Sequence, residues 1–212
     1  NIHTPFSRLY RIMNRRIEYT FFHWGPFVCL YKLTPEEIKQ FKSLESGEDY
    51  RNHLAGHIQD EKTLNKDKVF ELILPYLNSY VQGYFEFRGA PLTTGYELLT
   101  AWVNRQKKHE FNPPHIHGGH LSFVIYTEIP DGLDKECKEN IADSAGPGSI
   151  TFDFNLLGSN MEKLFLQTHS HLPKVGDMFI FPAGLPHWVY PFNKTEGERV
   201  SISGNIKLKD ME

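Results

Sequence analysis

The sequence predicts an α+β fold: a double-stranded β-helix (jelly roll) core with N-terminal helices packed on it. Three observations predict it. Aromatic residues make up 14% of the 212 residues, with 16 Phe and 10 Tyr, and rings pack well on pleated sheets. Helical spacing is confined to the first hundred residues. Beyond residue 95, short apolar runs recur between Gly, Pro, Asn and Asp signals, the pattern of a sandwich or barrel. Helices early and strands late make the chain α+β. The length suits a single domain over 1–212, with a mixed α/β part over 1–95 and a jelly-roll core over 96–208.

The elements are read in order. Pro26–Leu33 alternates loosely and reads as a strand. Thr34-Pro35-Glu36-Glu37 opens a helix that runs to about Leu44. Thr caps, Pro suits the first helical position, and the acids favour the positive end of the dipole. Asp49–Lys62 is polar and reads as a loop or short helix. Asp67–Val81 carries Val69, Leu72, Ile73, Tyr76, Leu77 and Tyr80 at helical spacing, with Pro75 a potential kink. Strands are then expected at Tyr96–Asn104, His120–Ile129, Ser149–Leu156, Lys163–Gln167, Asp177–Pro182, His187–Pro191 and Arg199–Leu208. Asp131–Asp143 is a charged run and reads as a solvated loop, placed where it could also cover a site mouth.

Composition excludes several classes. The chain has 23 Lys+Arg against 26 Asp+Glu, a net charge of -3. That balance argues against a broadly basic nucleic-acid binder, since phosphate contacts need clustered Lys and Arg. No apolar run approaches the ~20 residues that span a bilayer. No charged start followed by an apolar stretch marks a secretory signal, so a cytoplasmic setting is expected. The chain opens on Asn1 rather than Met, which leaves its natural start open. Cys29 and Cys137 are too far apart for a zinc-knuckle spacing and leave room for one bridge at most. The 11 histidines are the oddity.

The densest chemistry is Asn112-Pro113-Pro114-His115-Ile116-His117-Gly118-Gly119-His120. On an extended strand, positions two apart share a face, so His115 and His117 can reach one metal ion. Gly176–His187 reads as a buried strand, a Pro/Gly turn and a single His. A jelly roll brings a late strand beside an early one, so His187 can complete a three-residue set. Three protein ligands leave metal positions open for catalysis. His120, three residues after His117, is the alternative ligand. Arg199 and Ser201 also share a strand face, and a guanidinium with a hydroxyl is a good receptor for a carboxylate. A metal beside a carboxylate anchor describes an enzyme that chelates a small dicarboxylate.

These segments resemble the 2-oxoglutarate- and Fe(II)-dependent oxygenases related to prolyl hydroxylases. The resemblance rests on Trp102-Val103-Asn104, Asn112–Tyr126, Phe181–Phe192 and Glu198–Ile206, with His53–Ile58 similar to the N-terminal region. The form with NPPHxH, SFVIY and HWVYPF is most similar to versions in tailed bacteriophages of marine bacteria. It would then act in the host cytoplasm.

The resemblance implies Fe(II) on His115, His117 and His187, 2-oxoglutarate and O2 as co-substrates, and room for ascorbate. It implies that the far carboxylate of 2-oxoglutarate pairs with Arg199 and Ser201. Asn104, Asn112 and Tyr126 are candidates for co-substrate or substrate contacts. The implied reaction is hydroxylation of a C–H bond in a peptide or small molecule, coupled to decarboxylation to succinate. One departure stands out. The family usually carries Asp or Glu two residues after the first His, and here that position is the neutral His117.

Gly176–His187 also fits the second cupin motif, G-x5-P-x-G-x2-H, and a cupin-type enzyme or binder would not use 2-oxoglutarate. The usual cupin Glu is missing after His117, however, and Arg199 has no evident cupin role. A non-enzymatic phage jelly roll would need neither three imidazoles nor a buried Arg. His169 and His171 are read as surface histidines on a loop. His53 and His57 are read as solvated or packing residues, and Cys137 as an exposed thiol. Trp24, Trp102 and Trp188 are read as core or pocket wall.

Overall fold

The computed structural model describes residues 6–12, 15–23, 26–44, 46–89, 91–93, 95–141, 146–154 and 168–209. Strands β1 (Phe6–Ile12), β2 (Arg15–His23) and β3 (Phe27–Lys32) form an antiparallel meander. Helix α1 (Pro35–Lys42) and strand β4 (Ser46–Asp49) follow, then β5 (Glu61–Leu64) and helix α2 (Lys66–Arg88). The second half holds β6 (Tyr96–Gln106), β7 (Asn112–His115), β8 (Leu121–Glu128), helix α3 (Leu133–Lys138), β9 (Ile150–Asp153) and β10 (Thr168–His171). It ends with β11 (Asp177–Pro182), β12 (His187–Val189) and β13 (Arg199–Leu208).

The strands form two sheets. The large one runs β1-β2-β3-β11-β8-β13-β6-β5-β4 and the small one β10-β9-β12-β7. Among the described residues all the strand pairings are antiparallel. Two facing antiparallel sheets with few helices give a jelly-roll architecture.

Helices α1 and α2 start where their caps require. Thr34 accepts from the Glu37 backbone N–H while the Glu37 carboxylate accepts from the Thr34 backbone N–H, a reciprocal capping box. Asn65 caps α2 by accepting from the Lys68 N–H at 3.1 Å. Gly89, at φ 70°, closes α2 in a left-handed conformation that favours glycine. Pro75 sits inside α2.

Period-2 alternation sorts the large sheet into two faces. Phe123 and Ile125 of β8, and Val200, Ile202 and Ile206 of β13, share one core cluster with Val69, Ile73, Tyr76 and Leu77 of α2. The intervening residues Val124 and Tyr126 join Phe152, Phe179, Phe181 and Val189 in a second cluster drawn from both sheets. On β13 the same alternation turns Arg199, Ser201 and Ser203 away from the helix side and into a cavity between the sheets. Gly204 is required by crowding: a Cβ there would lie 2.6 Å from both the Phe123 ring and the Thr100 carbonyl oxygen.

Several expectations need correction. β1 and β2, which precede the first expected strand at Pro26–Leu33, extend the large sheet. Asp49–Lys62 is, as expected, a loop with one short 3-10 helix, Arg51–His53, except that its first residue ends β4 and its last two begin β5. His169-Ser170-His171 is no loop. It is strand β10, paired with β9, and its polar composition hid it. The Asp131–Asp143 run is not plain solvated loop, because it contains α3 with Leu133 and Glu136 buried. Glu136 accepts from the backbone N–H groups of Asn193, Lys194 and Thr195, and so clips α3 to the segment after β12. Cys137 is half-buried rather than exposed, and both cysteines are free. The Lys163–Gln167 strand and Trp24 lie outside the described residues.

Candidate active site

β7 begins with two usable prolines because it is an edge strand of the small sheet, where a missing N–H does not break a ladder. It delivers His115 directly opposite His187 of β12. His117 lies past the end of β7, so the same-face strand argument does not apply to it. Its backbone N–H instead donates to the Ala183 carbonyl (2.9 Å), which ties it to the Pro/Gly turn before His187. The outcome is the same: the potential ligand atoms of His115, His117 and His187 lie within 4.8 Å of one another.

The ring orientations suit a metal. His115 Nδ1 faces the Pro113 carbonyl at 2.7 Å, and His187 Nδ1 faces the Leu185 carbonyl at 2.9 Å. A carbonyl only accepts, so both Nδ1 atoms carry the proton and both Nε2 lone pairs are bare. His117 Nε2 and His187 Nε2 are 3.2 Å apart. Burial pushes all three imidazoles below their ordinary pKa, His117 to about 4, with the neighbouring histidines adding repulsion at His117 and His187. The cluster is therefore neutral and ligand-ready. Among the described residues no carboxylate joins it. His120 is elsewhere: its Nδ1 accepts from the Leu208 N–H at 2.9 Å, a structural bond at the end of β13.

Arg199 and Ser201 line the same cavity, of about 190 Å3, together with Asn104, Asn112 and Tyr126. Arg199 is 2% exposed. Its Nη1 donates to the neutral Gln106 Oε1 at 2.9 Å, and its guanidinium carbon lies 4.7 Å from the Tyr126 ring centroid. Among the described residues no carboxylate pairs with it, and its Nε has no partner. Burial pulls the Arg199 pKa down, an effect Tyr126 opposes, and burial pushes the Tyr126 phenol up to about 12. A buried cation without a counter-anion is costly. An anionic ligand at this spot removes the penalty. Two bare imidazole nitrogens, a third imidazole whose Nε2 lies 3.2 Å from one of them, and a buried guanidinium without a carboxylate on one cavity thus fit a divalent metal and a dicarboxylate.

The remaining expected residues fall as follows. Asn104 Nδ2 donates to Ser201 Oγ at 3.4 Å. Trp102 is pocket wall, with its ring 5.6 Å from that of His117. His57 stacks on Phe111. His53 stacks on Tyr50 and also lines the cavity, which its reading as a solvated or packing residue did not foresee. Sequence reasoning missed Gln106, which holds Arg199, and Glu61, a cavity carboxylate inside a polar stretch.

A jelly roll whose cavity joins three clustered histidines to a buried guanidinium is an arrangement that could hold a metal ion and an anionic ligand. The family described as "Putative 2OG-Fe(II) oxygenase" matches residues 100–205, and the chain belongs to it. It is an Fe(II)- and 2-oxoglutarate-dependent oxygenase, and the cupin-type alternative falls away. No curated protein sequence matches the chain.

Among solved structures, one similar fold is the viral collagen prolyl hydroxylase vCPH from Paramecium Bursaria Chlorella virus-1, in a 2OG complex. Its TM-score is 0.50 at 14% identity, over 86% of this chain and 96% of that one. A Pseudomonas putida prolyl-4-hydroxylase gives 0.50 at 13% identity, over 88% and 94%. HygX from Streptomyces hygroscopicus, with nickel and 2-oxoglutarate bound, gives 0.51 at 12% identity, over 88% and 84%. These likenesses establish the fold. Among the described residues no helix is long and apolar enough to cross a membrane.

Proposed function

We propose that the chain hydroxylates a C–H bond of a peptide or small molecule, with His115, His117 and His187 holding Fe(II). Arg199 and Ser201 take the far carboxylate of 2-oxoglutarate, flanked by Asn104 and Tyr126. The observation that carries this reading is the pairing of a neutral three-histidine cluster with a buried, unpaired Arg199 on one cavity.

When bound, iron and 2-oxoglutarate supply the oxidising chemistry that inserts oxygen into the substrate. The chain's residues bind, orient and exclude water. Pro113 and Leu185 carbonyls fix the tautomers of His115 and His187. Gln106 aims the Arg199 guanidinium. Phe152 and Phe181 pack against the His187 ring, and Trp102 packs against the His117 ring. Three neutral ligands leave the full metal charge to be balanced by the dicarboxylate, so metal and co-substrate binding should be strongly coupled. The resemblance to prolyl hydroxylases in the motif segments supports hydroxylation over other outcomes. It also favours the phage-type form, acting in the host cytoplasm.

The test is an anaerobic titration of Fe(II) and 2-oxoglutarate, followed by the visible charge-transfer band. A band that needs both components supports the assignment. Succinate release against candidate peptides then identifies substrate. Metal binding with no 2-oxoglutarate dependence overturns the proposal.

A further inference from the structure

Cross-strand register places four cavity residues in one row on the large sheet. Glu61 stands opposite Asn104, Asn104 opposite Ser201, and Ser201 opposite Tyr126. The row is chemically polarised. At the Tyr126 end the buried atoms without a hydrogen bond of normal geometry are the Tyr126 hydroxyl and, two residues along β13 from Ser201, Arg199 Nε, although the guanidinium and the phenol interact with one another. Both donate. At the other end they are Glu61 Oε2, an acceptor whenever the carboxyl is ionised, and Asn104 Oδ1, an acceptor.

Glu61 is 1% exposed and makes no ion pair among the described residues. Its neighbourhood is acidic: burial and then Glu110 and Asp49 push its carboxyl up to about 7, against Arg51, which is itself tied to Asp49 at 2.5 Å. The chain backbone closes over it at Gly56, where a Cβ would lie 2.8 Å from Glu61 Oε1. A buried carboxylate oxygen and a buried amide oxygen at facing register positions, each without a donor, are both penalised. A bound group that donates to both removes the penalty at once.

We infer that Glu61, with Asn104 Oδ1 beside it, anchors the primary substrate, which presents a cationic N–H donor, an ammonium or guanidinium, to this end of the cavity. The inference rests on reading the Arg199 end as the co-substrate anchor, because the acceptor end is then what remains for the second reactant. Two donors at one end suit a dicarboxylate, and two acceptors at the other suit a cation.

The test uses the full chain loaded with Mn(II) and 2-oxoglutarate. The probes are Nα-acetyl-lysinamide and its norleucine counterpart, which keeps the aliphatic chain and lacks the ammonium. By calorimetry the lysine probe should bind wild type roughly tenfold or more tighter than the norleucine probe, the worth of a desolvated charge-assisted bond. Glu61→Gln keeps the shape and loses the charge, and should abolish that preference. Glu61→Asp keeps the charge at shorter reach and should recover part of it. Thermal melting establishes that both variants are folded.

Equal behaviour of the two probes toward wild type, including no binding by either, overturns the inference. So does a preference that survives in Glu61→Gln. The affinity for 2-oxoglutarate, with Mn(II) saturating, separates the two possible failures. If wild type binds none, the Arg199 assignment fails and takes the inference with it. If affinity is lost only in Glu61→Gln, Glu61 belongs to the co-substrate site and the inference alone is overturned.

Discussion

His115 and His187 stand opposite each other across the antiparallel β7–β12 pair, with ring centroids 4.3 Å apart. Strand pairing therefore sets their spacing, and carbonyls two residues upstream set their tautomers. The site is preorganised by backbone, so side-chain substitutions should act on ligation more than on geometry.

His187→Ala should stay folded and lose metal. His187 is 4% exposed and supplies one bare Nε2. Loss of a direct ligand should weaken Mn(II) or Fe(II) by at least the ~10–100-fold that follows loss of an outer partner. Anaerobic calorimetry with circular dichroism checks both halves. A folded variant with wild-type affinity sinks the assignment.

His117 tests the departure from the family's usual carboxylate. His117→Asp should keep metal, since a carboxylate at the same position is a competent iron ligand. His117→Ala should lose most of its affinity. His120→Ala is the control and should leave metal affinity unchanged, because His120 accepts from the Leu208 N–H instead. If His120→Ala loses metal and His117→Ala does not, the ligand set must be redrawn.

The triad was legible because HxH and the late Pro/Gly turn are local signatures that a jelly roll joins. Arg199 and Ser201 were legible because β13 alternates cleanly between core and cavity. The extended chain expected at His115–His117 is displaced: β7 is Asn112–His115, since Pro113 and Pro114 argue against a strand there unless its edge position is known. β10 and α3 were hidden by polar composition; His171 is there to bond Asp177, and Glu136 to bond a loop, and neither leaves a hydrophobic period. Glu61 had no local signal, because its role depends on which strand it faces.

Asp177 should stabilise the fold above the acid range. It is fully buried. Burial would raise its carboxyl, but bonds from His171, Lys32 and the Lys174 N–H outweigh that and hold it below the usual carboxylate value. The folded pKa is depressed, so its stabilisation is present above the unfolded value, about 4, and is lost as pH falls through the folded value. Asp177→Asn should cost about 2–4 kcal/mol at neutral pH, from unpaired donors left near the core. It should also flatten the fall in stability below about pH 4. Urea melts across pH measure both. Equal stability of wild type and variant at neutral pH contradicts the account.

Arg199 carries the co-substrate prediction. It is buried, it has no carboxylate partner among the described residues, and Gln106 fixes one of its nitrogens. A charge-assisted contact is worth about 1.5–3 kcal/mol. Arg199→Ala should therefore weaken 2-oxoglutarate roughly ten- to a hundredfold, at ~1.4 kcal/mol for each factor of ten. Metal affinity measured without 2-oxoglutarate should survive, because Arg199 is not among the clustered ligands. Arg199→Lys should recover only part of the loss, since an ammonium is a point charge and cannot grip two oxygens in parallel. Gln106→Leu should give an intermediate loss, because it removes the acceptor that aims the guanidinium and leaves the charge in place. The measurement is 2-oxoglutarate affinity in the four proteins with Mn(II) saturating. If all four bind it equally, the anchor lies elsewhere in the cavity and the unpaired Arg199 needs another anion.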